Sequence, residues 1–230
     1  MVQRILVLDG SPAGEHACGA AACVTNTGGV LQVLALRQEP GKQAAEGVSL
    51  LAAQALQQAG WSRAQGTAPD LVVVVVGPGS FTGLRASCAA AAGYAVGMGC
   101  PVVGVTRAEA LSVELDRALA AQPEHMTGWL VVTPARRGRV FVEDSKGVRA
   151  VTIADWSAPQ GTWLVAGDAR AELAFPSAVM CPMIHPDMEQ VAAVALRRLR
   201  GELPPRGALP VYVDPPEAKL PANGLRAAPV

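Results

Sequence analysis

Residues 71–85 read Leu71-Val-Val-Val-Val-Val-Gly-Pro-Gly-Ser-Phe-Thr-Gly-Leu-Arg85 and give the clearest indication of the fold. The apolar run at its start has no polar alternation, which is typical of a parallel strand buried on both faces. A glycine-rich turn follows at Gly77–Gly83, and a helix is predicted from Leu84 to Met98. A buried strand, a glycine turn and a helix in succession predict an α/β protein with helices packed on a parallel sheet.

The segments on either side of this stretch predict the rest of the architecture. Residues 129–168 repeat the opening pattern of a strand, a turn and a returning pair of strands, so we expect a second, degenerate copy of the first topology. The predicted domains are an N-terminal domain at 1–121, a smaller C-terminal domain at 122–221 and a disordered tail at 222–230. The predicted strands are 5–8, 18–24, 30–36, 71–76, 101–105, 129–136, 139–143, 148–153 and 163–168, and the helices are 43–59, 84–98, 107–121 and 187–200.

Composition excludes several classes of protein. Half of the 230 residues are hydrophobic and 17% are charged, which is enough apolar content for a large core and rules out global disorder. Lys and Arg total 19 and so do Asp and Glu, and aromatic residues make up only 4% of the chain. A neutral chain with few aromatic residues is not expected to bind nucleic acid strongly by itself.

Metal, disulfide and membrane functions find no support in the sequence. The cysteines are odd in number and lack CxxC spacing, and no histidines are spaced as HxxxH, so no metal site is predicted. The uncharged stretch 86–105 is divided by Gly97, Gly99 and Pro101, so we expect a helix and a strand there and not a membrane span. The cysteines are Cys18, Cys23, Cys88, Cys100 and Cys181, and the histidines are His16, His125 and His185.

The glycine-rich turn has two interpretations. Free backbone N–H groups and the positive end of the helix dipole favour an anion at such a turn, and Arg85 would add further donors. Alternatively, the glycines only permit a tight turn and close helix–sheet packing, with Ser80 or Thr82 as the N-cap. The spacing is neither a Walker A loop nor G-x-G-x-x-G. The candidate phosphate site consists of Asp9, Ser11, Gly77, Gly79, Ser80, Gly83 and Arg85.

The turn at Asp9-Gly10-Ser11 resembles the hairpin that holds phosphate or Mg²⁺ in actin-like ATPases, in which a carboxylate holds a hydrated cation. The corresponding turn of the second half, Thr133-Pro-Ala-Arg136, has no carboxylate, so we expect nucleotide hydrolysis to be lost. Asp9 alternatively only caps its turn. No catalytic residue and no metal ligand is predicted.

The helix at 84–98 has almost no side-chain bulk on one side. Glycine costs about 1 kcal/mol relative to alanine in a helix interior, so Gly93 indicates close approach by another backbone. That backbone belongs either to the chain's own sheet or to another chain that binds this helix together with the apolar helix at 43–59. The predicted interface residues are Val48, Leu50, Leu51, Gln54, Ala55, Ala86, Ala89, Ala90, Gly93 and Gly97.

Two short basic clusters are either solvated surface or RNA contacts. They are Arg136-Arg-Gly-Arg139 and Arg197-Arg-Leu-Arg200.

Four segments resemble a known family. Ile5-Leu-Val-Leu-Asp9 resembles its I-L-A-L-D-T-S opening, and Gly77–Arg85 resembles its signature G-P-G-S-F-T-G-[LV]-R. Pro101–Val105 and the ending Pro210–Pro221 also match. On these segments the chain, over about residues 2–221, resembles the TsaB (YeaZ) family, a subunit of the bacterial threonylcarbamoyladenosine tRNA-modification system.

The resemblance implies an actin-like ATPase (ASKHA, ribonuclease-H-like) fold that has lost its own catalysis. It implies a cytoplasmic, non-catalytic subunit that binds TsaD through the first two helices, joins TsaE in a larger complex, and forms homodimers when isolated. The complex transfers a threonylcarbamoyl group to adenosine 37 of tRNA, so the contact of this subunit with tRNA would be indirect. No cofactor is expected, and residual ADP or ATP would bind only at the complex interface.

Three departures from the family pattern weaken any nucleotide or metal chemistry. The family usually has Thr where this chain has Gly10, often has a His in the region of Lys42–Glu46, and usually has Asp where this chain has Pro134. The family's older glycoprotease label has no HxxxH pair to support it here. The alternative function is a small ASKHA-type phosphotransferase or ATPase that uses Asp9 and the Gly77–Gly83 loop.

Overall fold

The apolar run 71–76 lies inside a five-stranded sheet in the computed structural model, which describes residues 2–122, 125–136 and 138–213. The strand order is β3-β2-β1-β4-β5. Neighbours β1, β4 and β5 run parallel, while β2 is antiparallel to both β1 and β3. The bounds are β1 Arg4–Asp9, β2 Cys18–Thr27, β3 Val30–Pro40, β4 Leu71–Gly77 and β5 Val102–Thr106.

A second sheet of five strands repeats this plan. Its order is β10-β9-β6-β7-β8, with β6 parallel to β9 and antiparallel to β7. Strand for strand, this is the arrangement of the first sheet, so the predicted two degenerate copies of one α/β topology are confirmed. The bounds are β6 Gly128–Pro134, β7 Arg139–Asp144, β8 Gly147–Thr152, β9 Trp163–Ala166 and β10 Ala178–Met180.

Helices cover both faces of the first sheet. Three helices lie on one face, and two of them contribute to an apolar cluster that includes Leu6, Val74 and Leu51. On the other face the last helix packs against Ile5 and Val73. The bounds are α1 Lys42–Glu46, α2 Val48–Ala59, α3 Phe81–Met98, α4 Arg107–Ala120 and α5 Met188–Leu199, of which α1, α2 and α3 form the first group.

Helix α4 lies between the two sheets. Ala110 belongs to the cluster on the first sheet, whereas Leu111 and Leu115 pack against Trp129 and Leu164 of the second sheet. Helix α5 follows the second sheet in sequence but packs on the first sheet. The chain therefore returns to the first sheet after it has formed the second. The domain boundaries at 121 and 221 stay predictions.

Element bounds differ from the predictions in places where glycine or short length weakens the sequence signal. Helix 43–59 is two helices interrupted at Gly47, a poor helix former. Helix α3 begins at Phe81, and Ser80 is its N-cap, accepting a hydrogen bond from the Gly83 amide. The three-residue strand β10 was not predicted. The ending beyond Val213 and the tail 222–230 lie outside the described residues.

No helix within the described ranges combines the length and the hydropathy of a membrane span. The prediction that 86–105 divides into a helix and a strand is correct, because α3 ends at Met98 and β5 begins at Val102.

Candidate functional site

The glycine-rich turn packs directly on the turn that follows β1. The Ser80 amide donates a hydrogen bond to the Ser11 carbonyl oxygen at 2.8 Å. A Cβ atom on Gly79 would collide with that same carbonyl, and a Cβ atom on Gly83 would collide with the carbonyl of Gly10. The glycines therefore serve close backbone packing, which is the second of the two interpretations of this motif.

Asp9 caps its own turn. Its Oδ1 accepts a hydrogen bond from the Ser11 amide at 2.7 Å, and the residue is 6% exposed. The Ser11 hydroxyl is fully buried and has no hydrogen-bond partner among the described residues. The carboxylate therefore holds the turn through the Ser11 backbone, and the two side chains are not hydrogen-bonded to each other.

Arg85 does not face this turn. It is exposed on the outside of α3, and its guanidinium lies 5.3 Å from the ring centroid of Phe81. The predicted contribution of Arg85 to an anion site is therefore not supported by its position, since its cation is directed to an aromatic ring at the helix surface.

The second half repeats the close packing of the first. A Cβ atom on Gly167, just after β9, would collide with the backbone of Val132 in β6, and the Ala169 amide donates to the Val132 carbonyl at 3.1 Å. This packing brings Asp168 to the end of β6.

Arg107, the first residue of α4, is fully buried and is the partner of Asp168. Its guanidinium lies 3.4 Å from Oδ1 and 3.5 Å from Oδ2 of that carboxylate, whose side chain is also fully buried. The guanidinium also donates to the Ile184 carbonyl and contacts Nδ1 of His185. Because arginine only donates, that ring nitrogen must act as the acceptor.

Glu143 of β7 binds the N-terminus of the same helix. Its carboxylate accepts hydrogen bonds from the Thr106 hydroxyl and from the Ala108 amide. Burial raises the pKa of Glu143 to about 7, although both of these hydrogen bonds act in the opposite direction. Two carboxylates of the second half, Glu143 and Asp168, therefore each bind the N-terminal end of α4.

Most groups of the candidate phosphate site, and the buried arginine beside the second half, are engaged within the chain. The amides and glycine faces that would receive a phosphate are packed on the turn after β1, and the Arg107 guanidinium already lies against Asp168. In the part of the chain that the structure describes, no group of three His, Cys, Asp or Glu residues could hold a metal ion.

Arg107, Glu143 and Asp168 were not predicted from the sequence. Asp168 was visible only as part of a Gly-Asp turn, and Arg107 only as the first residue of a helix. Their contacts join residues far apart in the chain, so no local pattern could have paired them.

The structure divides the predicted interface residues by exposure. Val48, Leu51 and Ala55 are buried in the core of the chain and offer no surface to a partner. Leu50, by contrast, is 63% exposed. Gln54, Ala86 and Ala90 are half-buried, and Ala89, Gly93 and Gly97 are exposed.

Gly93 is not packed on the chain's own sheet. A Cβ atom at Gly93 or Gly97 would find no described atom within 4 Å. Close packing on the chain's own sheet, the first explanation offered for Gly93, is therefore wrong. Beside these glycines, Val96 is 83% exposed, and the Tyr94 hydroxyl donates to the Ser49 carbonyl and so links α3 to α2.

The later of the two basic clusters is held by contacts within the chain. Arg198 is 5% exposed and binds the Gly104 carbonyl and Glu109, while Arg197 and Arg200 both pair with Glu202. Burial would raise the pKa of Glu109, but the Thr106 amide and the guanidinium groups of Arg198 and Arg206 lower it below its ordinary value. In the earlier cluster Arg136 is exposed, and Arg137 lies outside the described residues.

Comparison with known sequences gives mycobacterial relatives. An uncharacterised protein of Mycobacterium tuberculosis strain H37Rv is 32% identical over 155 residues, which are 65% of this chain and 66% of that protein. One from Mycobacterium leprae is 45% identical over 73 residues, covering 31% of this chain and 17% of that protein. The alignments thus span less than two thirds of the relatives' lengths.

Solved structures and a family model were also compared with the chain. YeaZ from Pseudomonas aeruginosa has 20% identity and a TM-score of 0.62, covering 91% of this chain and 99% of that one. A second P. aeruginosa protein, described as similar to peptidase YeaZ, has 21% identity and a TM-score of 0.63, covering 92% of this chain and 100% of its own. The family model for TsaD, tRNA N6-adenosine threonylcarbamoyltransferase, matches residues 21–154. The chain therefore belongs to the TsaD family and has the fold of YeaZ, which confirms the resemblance drawn from its sequence.

Proposed function

We propose that the chain is a non-catalytic subunit that binds and activates a TsaD protein for threonylcarbamoyl transfer to adenosine 37 of tRNA. The observation that carries this proposal is the outer surface of α2 and α3. It exposes Leu50 and Val96 beside two glycines with open space above them. Apolar side chains beside open glycines on a helix surface are what a closely packed helical partner requires.

The non-catalytic assignment is supported by the packing of the candidate phosphate site. Gly79 and Gly83 lie against the carbonyls of Ser11 and Gly10, and Arg85 is directed away from them. A chain that uses its glycine loop for internal packing would contribute a surface, and not reacting groups, to the transfer.

The test is reconstitution with TsaD and TsaE proteins of the same organism. We expect the chain to co-elute with TsaD from a size-exclusion column, and tRNA modification in the presence of ATP to depend on adding the chain. Modification at full rate without the chain would contradict the proposal. Binding to TsaD without any gain in tRNA modification would contradict the activating role but would leave the binding role standing.

The alternative is a small phosphotransferase or ATPase that uses Asp9 and the Gly77–Gly83 loop. The buried Ser11 hydroxyl, which has no partner among the described residues, is the observation in its favour. ATP turnover by the isolated chain that disappears in Asp9→Asn would establish this alternative. The control for that measurement is Asp155→Asn, a carboxylate remote from the turn in sequence.

The proposal leaves tRNA binding mainly to the partner. The chain has no net charge, and of the two basic clusters the later one is held in internal ion pairs. We therefore expect weak tRNA binding by the isolated chain, a homodimer through the α2–α3 surface when no partner is present, and a cytoplasmic location together with tRNA.

A further inference from the structure

Two exposed aromatic rings stand at one end of the α2–α3 surface. Phe81, the first residue of α3, is 49% exposed, and Tyr212 is 59% exposed. Their ring centroids are 5.8 Å apart, and the Arg85 guanidinium lies over the Phe81 ring. In a chain in which aromatic residues make up 4% of the sequence, these three side chains form a distinct cluster, which we call the aromatic corner.

The aromatic corner is held in place by backbone contacts. The Val211 amide donates to the Val76 carbonyl at 2.8 Å, and the Gly104 amide donates to the Arg206 carbonyl at 2.9 Å. Val211 also packs on the core beneath α3. The segment that carries Tyr212 is thus fixed against β4 and β5, so little further ordering of its backbone is needed when the ring is covered.

The charge carried by α2 and α3 is of one sign. Neither helix contains an aspartate or a glutamate, and Arg85 is the one charged residue in the two. Arg63, which follows α2, is also exposed and donates to the Gly97 carbonyl at 2.6 Å. The charged side chains that these two helices and Arg63 present are therefore all positive, while Glu46 of the adjoining helix α1 is also exposed.

From these contacts we infer that the aromatic corner is the anchoring point for the TsaD-type partner, which places an apolar side chain on Phe81 and Tyr212 and a carboxylate opposite Arg85. The inference rests on the proposed function and adds to it the chemistry of the partner's surface. Aromatic and arginine side chains that become buried together are the usual hot spots of protein interfaces.

Charge complementarity favours this partner over a second copy of the chain. A second copy that docked through the same two helices would bring no carboxylate from them to Arg85, and it would bring a second Arg85 of the same sign. A different protein with an acidic residue on its facing surface can form an ion pair with the Arg85 guanidinium. That ion pair would help to orient the partner and would raise the association rate.

The experiment measures the Kd of the chain for TsaD of the same organism by calorimetry, and its self-association by sedimentation, with variants Phe81→Ala, Tyr212→Ala, Arg85→Gln and Arg85→Glu. We expect each alanine variant to raise the Kd for TsaD at least about tenfold, and Arg85→Glu to raise it more than Arg85→Gln does. Self-association should not weaken in Arg85→Glu. The matched control is Arg117→Glu, which reverses the charge of an exposed arginine on α4 and should leave both measurements unchanged.

Circular dichroism and the thermal midpoint of each variant establish that it is folded before binding is compared. Wild-type binding that the corner variants do not alter would overturn the inference and leave the proposed function standing. Equal effects of Arg85→Glu and Arg117→Glu, or a loss of self-association in Arg85→Glu equal to the loss of TsaD binding, would also overturn it. Failure of the wild-type chain to bind TsaD would overturn both proposals.

Discussion

The guanidinium of Arg107 lies 3.4 Å from the carboxylate of Asp168, and neither side chain is exposed to solvent. The arginine begins the helix between the two sheets, and the aspartate follows a strand of the second sheet. This ion pair therefore joins the two halves of the chain.

Breaking this pair on one side is expected to be costly. Arg107→Met leaves the Asp168 carboxylate buried without its cation, and we expect a loss of about 3–5 kcal/mol in the free energy of unfolding measured with urea. The double variant Arg107→Met with Asp168→Leu removes both charges and is expected to recover most of the loss. Additive losses in the double variant would contradict the assigned pairing.

Stability is expected to depend on pH through Glu143. Because the pKa of this carboxyl is raised from 4.5 to about 7 in the folded chain, the folded state holds a proton that the unfolded state releases. The stability from this group is complete below about pH 4.5 and is lost as the pH rises through about 7. Its size is on the order of 3 kcal/mol.

Glu143→Gln is expected to abolish this part of the pH dependence. The measurement is urea unfolding of the variant and of the wild-type chain at pH 5 and pH 8, compared as differences, so that the contributions of other carboxylates cancel. Glu15→Gln changes an exposed glutamate and serves as the control. Identical pH profiles for wild type and Glu143→Gln would refute the role of Glu143.

The glycines of α3 and of the turn before it should respond oppositely to alanine. Gly79→Ala places a Cβ atom against the Ser11 carbonyl and should destabilise the chain by more than about 2 kcal/mol. Gly93→Ala meets open space within a helix and should stabilise it by about 1 kcal/mol. The measurement is the thermal midpoint of each variant compared with that of the wild-type chain. An unchanged midpoint in Gly79→Ala would show that the turn is not closely packed.

A large residue at Gly93 is expected to block the proposed interface without unfolding the chain. In Gly93→Leu the new side chain points into open space in the isolated chain but would occupy the volume of a docked helix, so co-elution with TsaD should be lost. Gln32→Leu adds an exposed leucine on β3 and should bind normally. Unchanged co-elution of Gly93→Leu would remove this surface from the interface.

Nucleotide is not expected to stabilise the isolated chain. ADP or ATP with Mg²⁺ at millimolar concentration should leave the thermal midpoint unchanged, because the glycine faces and amides of the turn are engaged with the backbone at Gly10 and Ser11. A midpoint that rises with nucleotide concentration, and does so less in Asp9→Asn, would show that a phosphate site persists.

The sequence by itself determined most of the elements and their order, apart from strand β10 and the break between α1 and α2. The unbroken apolar run at 71–76, the glycine turn after it and the repeat of the opening pattern in the second half are local signals, and they sufficed to predict two copies of one α/β topology. They also allowed the interpretation that Asp9 caps its own turn, because the Ser11 amide lies only two residues further along the chain.

Tertiary structure alone decided which residues meet across the chain and which face of each helix is covered. It buried Val48, Leu51 and Ala55, although all three lie on an apolar helix that also exposes Leu50. It also closed the glycine turn on β1 and paired Arg107 with Asp168. These outcomes depend on the packing of segments far apart in sequence, and local periodicity carries no information on which distant segment will supply the neighbour.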